Sequence, residues 1–505
     1  MGPLRLRSSH ISTPRRVLAN LYRPIITTTT SETRGAMNGT VLNVDVLLLI
    51  FSLAHQGTKL ALMSTCQVLY REGGKQFLKS VAVTLDTENR VKSFVRFMKA
   101  DGGSRMRSLR TLDLDLGKPS KSVAEQLTQI INPLTSISQL TDLSICYLEP
   151  LLFAHPPLSR AIARLTSIED INLGSIGKLS LKMLKSMQSK LKRAEITMWD
   201  DNCHRLTSGA DGDAIMFLRR FSSSLRNLDV VAGCATADPQ DDAPQYPLLS
   251  ALRLEEPVSP VVTWHYVRAF PNLKKLIITI SLEDGTYEAD GAGGAAEVRA
   301  GNVAQLRERG CWEALDTFEG TLLMLWLLGL PCPVRVLRVC DDCGVTPDML
   351  RDVLCPARAT QLDITFYEFS LFLDEEFTRA FVEGCGATLE VLSLTLEINR
   401  DEYVVHGYDL DLGDVLDAVM DMLRAFSALE SVALYVDFDR VPLELRGDKG
   451  PVPAEVYVED MDVDAMCAAL REAVPSADCV QFTLQDHWKR GTVTVQIGSW
   501  SDAEE

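Results

Sequence analysis

The sequence predicts an α/β chain in which a short helical head precedes a solenoid with parallel strands inside and helices outside. Two observations lead there. An apolar-x-x-apolar-x-apolar phrase recurs from residue 81 onward, and a strand-plus-helix unit that cannot bury its apolar face alone must stack on its neighbours. Residues 42–70 lack that phrase, and between Val44 and Ala54 only Asp45 and Ser52 are not apolar.

Residues 1–36 form the first element. They hold six Arg and one Glu, a charge of +5, and a TTTTSET run before Met37. Too few apolar side chains are present to join a core. The segment is expected to be a disordered leader, or an upstream extension of a chain whose natural start is Met37, rather than an Arg-rich targeting peptide.

Residues 37–80 form the helical head. Asn43 is a good N-cap, Asp45 sits in the first turn where the helix dipole favours a carboxylate, and Gly57-Thr58 is expected to break and restart the chain. A second helix then places Leu62, Cys66, Leu69 and Tyr70 on one face and is expected to stop at Gly73-Gly74. The first helix is apolar around almost its whole circumference. A unit of ~40 residues buries one face of such a helix and leaves another for a partner.

These residues resemble the F-box, the helical module that docks a receptor onto the small adaptor of the Skp, cullin and F-box ubiquitin ligases. Leu42 stands where that family opens with Leu-Pro, and Asp45-Val46-Leu47 follows as its acidic-aliphatic-Leu step. Ile50-Phe51 matches the hydrophobic end of its first helix, and Thr65-Cys66 with Tyr70 resembles its closing Cys and aromatic. Asn43 replaces the family's Pro and Tyr70 its commoner Trp, and Asn at an N-cap starts a helix about as well as Pro at N1. The resemblance implies adaptor binding through Leu42, Asn43, Val46, Leu47, Ile50, Phe51 and Leu62, with a Skp-type adaptor and a cullin scaffold as partners. A head of this kind followed by irregular leucine-rich repeats looks like the fungal F-box-like group. The bottom-up alternative is a leucine-rich-repeat interaction scaffold with no link to ubiquitination.

Residues 81–490 form the solenoid. After a first strand at 81–85 (VAVTL), the phrase appears at 109–114, 140–145, 168–173, 225–230, 249–254, 273–278, 334–339, 389–394 and 429–434, with weaker copies at 191–196 and 359–364. One step of 61 residues hides a repeat, expected through Leu315 to Leu323. Intervening helices are expected at 123–131, 180–191, 214–220, 378–382 and 414–426. Spacing is irregular and no asparagine ladder is present, so the solenoid reads more clearly than the register of its repeats. Low-order segments are expected at 235–247, 283–302 and 441–464, and residues 491–505 are expected to form an acidic tail.

Formal charge over 505 residues is −17, so the chain beyond the leader carries −22. That excludes a phosphate-backbone binder, which needs a basic surface for counterion release. The longest apolar run, 321–334, has only 14 residues with two prolines and reads as a buried helix rather than a membrane span. Twelve irregularly spaced cysteines point to buried thiols in a reducing compartment, cytosol or nucleus.

No hydrolase, kinase, phosphate-loop or zinc-protease motif is present, and seven scattered histidines make no catalytic spacing. The chain is expected not to be an enzyme and to need no cofactor or metal. Cys340 and Cys343, with Cys332 and Cys355 as possible further ligands, form half a zinc motif that reads better as small buried residues. DLDLG (113–117) and DLDLGD (409–414) suggest calcium loops but read as strands with Leu inside and Asp outside.

The target-binding surface is expected on the concave face. Asp113, Asp115, Glu195, Asp229 and Glu255 should line its first half, opposed only by Arg253. Asp363, Thr365, Ser393, Thr395, Tyr435, Thr483 and Gln485 should form a neutral, hydroxyl-rich strip on the later strands.

Overall fold

The computed structural model describes residues 43–137, 139–198, 213–232, 243–255, 261–279, 292–341, 344–398, 411–438 and 453–499. The leader, Leu42, the first part of each expected low-order segment and residues 501–505 lie outside the described residues. The chain divides into two compact units, residues 1–206 and 207–505.

In the first unit, α1 (Val44–Leu53) and α2 (Gln56–Met63) lead through a π-helical turn at Leu69–Gly73 directly into α3 (Gly74–Ser80). Strands β1 (Val83–Leu85), β2 (Thr111–Leu114), β3 (Asp142–Ile145), β4 (Asp170–Leu173) and β5 (Arg193–Thr197) pair in parallel in that order. Helices α4 (Glu88–Lys99), α5 (Lys121–Ile137), α6 (Leu148–Ala154), α7 (Pro157–Ala163) and α8 (Lys178–Ser186) connect them. Register stacks Leu85, Leu114, Ile145, Leu173 and Ile196 in one continuous row. Each of these side chains is buried, so the recurring sequence phrase is the trace of a stacked core. Helices of adjacent repeats are tied as well. Glu149 of α6 accepts hydrogen bonds from the backbone N–H of Leu179 (2.9 Å) and Ser180 (2.9 Å), satisfying free donors at the start of α8.

The head departs from its expected form in four ways. The expected second helix is two pieces, because α2 ends at Met63 and the hydroxyls of Ser64 and Thr65 donate to the carbonyls of Ala61 and Leu62. Gly57 breaks nothing, since it lies in the first turn of α2 behind the His55 cap. Gly73 and Gly74 likewise stop nothing: both have right-handed helical backbones, and the chain runs on to Ser80. Cys66 is exposed while Leu69 is buried, so the four residues expected on one face do not share it.

Arg105 fastens the head to the first repeat. It is fully buried, its guanidinium lies 4.3 Å from the ring centre of Tyr70 and 4.1 Å from that of Phe97, and it donates to the carbonyls of Phe97 (2.9 Å) and Tyr70 (2.8 Å). Two aromatic faces and two carbonyls replace the water such a cation loses on burial.

In the second unit, β6 (Asn227–Val231), β7 (Ala251–Glu255), β8 (Lys275–Thr279), β9 (Leu315–Thr321), β10 (Val334–Cys340), β11 (Gln361–Phe366), β12 (Val391–Glu397), β13 (Ser431–Asp437) and β14 (Cys479–His487) pair in parallel in that order. Helices α9 (Ala214–Phe217), α10 (Thr263–Ala269), α11 (Ala292–Arg309), α12 (Leu322–Leu328), α13 (Pro347–Ala357), α14 (Glu375–Cys385), α15 (Leu412–Leu423), α16 (Pro453–Glu459) and α17 (Val463–Ala473) accompany them. The hidden repeat is β9. Its core positions are Phe318 and Gly320, where its neighbours carry Leu276, Leu337, Ile278 and Val339. A Cβ at Gly320 would lie 2.4 Å from the Ile278 carbonyl oxygen, so the residue that obscures the phrase is also the one the close strand approach requires.

Four expectations fail in this unit. Residues 292–302 are not loop but the first part of α11. Buried Asn302 explains why this polar sequence is ordered: its side chain accepts from the Thr263 N–H (3.0 Å) and donates to the carbonyls of Val261 (2.9 Å) and Leu327 (2.8 Å). Residues 453–464 likewise hold α16 and the start of α17. Residues 411–414 of the second Asp-Leu run are no strand either, because Asp411 caps α15 by accepting from the Gly413 N–H at 2.8 Å, and 409–410 lie outside the described residues. Finally, the expected acidic tail begins with β15 (Gly491–Ile497), which pairs antiparallel with β14. The apolar run 321–334 contains the buried α12 and ends it at Gly329, whose φ of +59° suits a residue without Cβ. No helix among the described residues is long and apolar enough to cross a membrane.

Candidate partner-docking surfaces

Helix α1 is set by its cap and by one buried ring. The Asn43 side chain accepts from the Asp45 N–H at 3.1 Å, and Phe51, completely buried, packs against Gly73 of the π-helical turn. Turning Phe51 inward turns the opposite stripe outward. Val46, Leu49, Ile50 and Leu53 are 41%, 60%, 46% and 80% exposed. They are spaced i, i+3, i+4 and i+7, so they form one apolar row along the helix. Burying a large aliphatic side chain yields ~1.5–3 kcal/mol, so covering this row is worth several kcal/mol even after discounting what is already half-buried.

Of the residues expected to hold the adaptor, Val46 and Ile50 lie in this row. Asn43 acts through its cap, Leu47 and Leu62 are half-buried, and Leu42 lies outside the described residues. Phe51 is a correction: it is core and faces no partner. Leu49 and Leu53 were missed. Their spacing from Val46 and Ile50 was legible, but a helix apolar all round does not declare which stripe its own fold covers.

On the sheet of the first unit, one row away from the core runs Thr84, Asp113, Ser144, Asn172 and Glu195. Asp113 is half-buried, and its desolvation, added to by the charge of Asp115, pushes its carboxyl above the usual carboxylate range against hydrogen bonds from Ser144 and Thr84. Asp115 and Glu195 are exposed. The thiol of Cys146 is pushed up to about 11 by partial burial and by Asp115 and Asp113. The structure thus gathers Asp113 and Asp115 with Glu195 into an acidic strip, as expected.

Asp229, Arg253 and Glu255 belong to the second unit, where Arg253 opposes both carboxylates. Arg253 pairs with Asp229 (3.8 Å) and Glu255 (3.2 Å), so one cation offsets one of these two carboxylates. The same row continues through Ile277, Glu319, Arg338, Asp363 and Ser393. Alternating charge therefore replaces a single sign, and Glu319 and Arg338 were missed although both stand between core residues of their strands.

The hydroxyl-rich strip exists. Cys340, Thr365, Thr395, Tyr435, Thr483 and Thr494 share one row. Thr483 is buried, however, because the Gln481 amide donates to it (3.0 Å) and to the Tyr435 hydroxyl (3.2 Å) while Thr494 bonds it at 3.2 Å. The accessible part is Thr365, Thr395 and Tyr435, all half-buried.

Cys343 lies outside the described residues. Among the described residues no group of three or more His, Cys, Asp or Glu is placed to hold a metal ion. Cys332 is buried, while Cys340 donates to the Gly320 carbonyl and Cys355 to the Glu383 carbonyl.

No family model matches the chain, and no curated protein matches it. Among solved structures, the chain is similar to the crystal structure of the Rad7 and Elc1 complex in yeast, at 15% identity over 86% of this chain and 86% of that chain, with a TM-score of 0.36.

Proposed function

We propose that this chain is a non-enzymatic receptor of the F-box type: the head docks a Skp-type adaptor on a cullin scaffold, and the strand array holds a target protein. The single observation that carries this reading is the exposed row Val46, Leu49, Ile50 and Leu53 on a helix whose opposite side is fixed by Phe51. Soluble surfaces rarely leave such a row uncovered, and a helix with i, i+3, i+4 and i+7 anchors is the standard donor for a hydrophobic groove. The chain then contributes binding energy and geometry, raising the local concentration of a target beside a transferring enzyme, while the chemistry belongs to its partners.

The test is co-purification of the full chain with a Skp-type adaptor. Ile50→Asp with Leu53→Asp places two charges in the row and should abolish recovery of the adaptor while leaving the thermal midpoint unchanged, since neither residue is core. Undiminished recovery from that folded variant would defeat the reading. Loss of binding to some other protein, with no adaptor bound by the unaltered chain, would favour the scaffold unconnected to ubiquitin.

A further inference from the structure

Strand β15 is the last strand of its sheet. It pairs with β14 along one side, and among the described residues no strand pairs with the other. The aim of its backbone groups follows from its neighbours. On β14, the Cys479 N–H donates to the Glu430 carbonyl and the Gln485 carbonyl accepts from the Phe438 N–H, so the odd-numbered residues of β14 turn toward β13 and the even-numbered ones toward β15. Val480, Phe482 and Leu484 therefore exchange hydrogen bonds with Ile497, Val495 and Val493, their partners in register. Thr492, Thr494 and Gln496 are left with their N–H and C=O groups facing the open edge. Such edges are usually blunted by a charge or a proline. Gly491–Ile497 (GTVTVQI) contains neither, Thr492, Thr494, Gln496 and Ile497 are exposed, and Val493 and Val495 on the core face are only half-buried.

We propose that β15 is a homodimerisation edge, on which the same strand of a second copy of this chain pairs antiparallel about a two-fold axis at Thr494. The outward groups are placed symmetrically about that residue. With Thr494 opposite its own copy, Thr492 faces the copy's Gln496, so each outward N–H meets an outward C=O and none is left over. Any shift of register leaves outward groups unmatched. The side chains agree with the symmetric register. Val493 comes opposite the copy's Val495, and Gly491, which has no side chain, comes opposite the copy's Ile497, so the apolar layer continues across the junction. No charges oppose each other within the strand. At its ends, the Lys489–Arg490 end of one copy comes alongside the carboxy-terminal end of the other, where the sequence runs on to Asp502, Glu504 and Glu505. Opposite charges thus meet at both ends of an antiparallel pair, whereas a parallel pair would bring like charges together.

The experiment is sedimentation velocity of the full chain over a range of concentrations, with hydrogen exchange measured on the same samples. A contact of seven paired residues is small, so the dimer should form in the micromolar range and dissociate on dilution. Exchange at the Thr492, Thr494 and Gln496 amides should slow as the dimer forms, whereas the Val493 and Val495 amides, already bonded to β14, should not change. Thr494→Pro removes the central outward donor while keeping the ladder to β14, and should leave the chain monomeric. Thr494→Lys sets like charges opposite each other on the axis and should do the same. The proposal is overturned by a chain that stays monomeric into the high micromolar range, by a dimer that leaves the outward amides of β15 unslowed, such as one formed through α1, or by a dimer that survives both substitutions. Assemblies that grow beyond two copies also overturn it, because a two-fold pair is closed. The exchange measurement needs no variant, so a substitution that fails to fold leaves the test intact.

Discussion

Gly73 lies so close to the ring of Phe51 that a Cβ at residue 73 would stand 3.1 Å from Cε2. The missing Cβ of Gly73 permits that closeness, and the ring it admits fixes which side of α1 is core. Gly73→Ala should destabilise the head, with overpacking outweighing a helix-propensity gain of up to ~1 kcal/mol. Phe51→Leu should partly relieve it. A double-mutant cycle by chemical denaturation is expected to give a coupling of ~1 kcal/mol, and strict additivity would show the ring and the glycine to be independent.

Arg105 should be among the least replaceable residues of the first unit. Arg105→Met keeps the bulk but leaves the carbonyls of Tyr70 and Phe97 without their donor, at roughly 1–3 kcal/mol for each buried group left unmade. Limited proteolysis should then cut between the head and the first repeat in the variant and not in the parent chain.

Asn302 anchors α11 by three hydrogen bonds to buried backbone. Asn302→Leu is similar in size and should lower stability by ~2–4 kcal/mol, since three polar groups lose a partner together. Hydrogen exchange should speed up first in 292–309. If protection there is unchanged, α11 is held by other contacts.

His487 gives the far end of the second unit a dependence on acid. Its Nδ1 accepts from the Arg490 N–H at 3.3 Å, which leaves Nε2 as the donor to the Glu455 carbonyl at 3.2 Å. Burial pushes the imidazole below its ordinary range, against Glu455 and Glu459. A histidine with a depressed folded-state value binds fewer protons folded than unfolded. Its contribution is therefore complete above the unfolded value of about 6.5 and is lost as pH falls through the folded one. Thermal midpoints should drop below pH 6.5, and His487→Asn should flatten that part of the profile.

Target recognition on the first unit should be electrostatic in its approach. Asp113→Lys with Asp115→Lys should reduce recovery of a basic target several-fold at low salt, with the difference shrinking past ~0.15 M, where the Debye length is ~8 Å. Adaptor recovery serves as the control. Reversing Asp229 would be a poorer test, because it disturbs the pair with Arg253 as well.

The strand array was legible because stacking demands the same two core side chains at every rung, and residues such as Leu112, Leu143 and Ile171 repeat that demand in one row. What escaped was set by single contacts between distant residues. Gly320 broke the phrase for a steric reason, Asn302 ordered a Gly- and Ala-rich helix through three hydrogen bonds, and the Phe51 ring chose the buried side of an all-apolar helix. The charge pattern of the second unit's face was misjudged for a related reason: Glu319 and Arg338 stand in the same row between Ile277 and Asp363, and the broken phrase at Gly320 hid that alignment.

The reversed direction of Gly491–Ile497 bears on how such a chain can change in length. A run of parallel strands presents the same edge after every unit, so duplication of an internal segment can lengthen it with no new design. Past His487 the backbone doubles back, and β15 occupies the edge of β14 that a further parallel strand would take. Growth by tandem duplication can therefore be accommodated upstream of the hairpin, while any unit gained beyond it would have to displace those seven residues first.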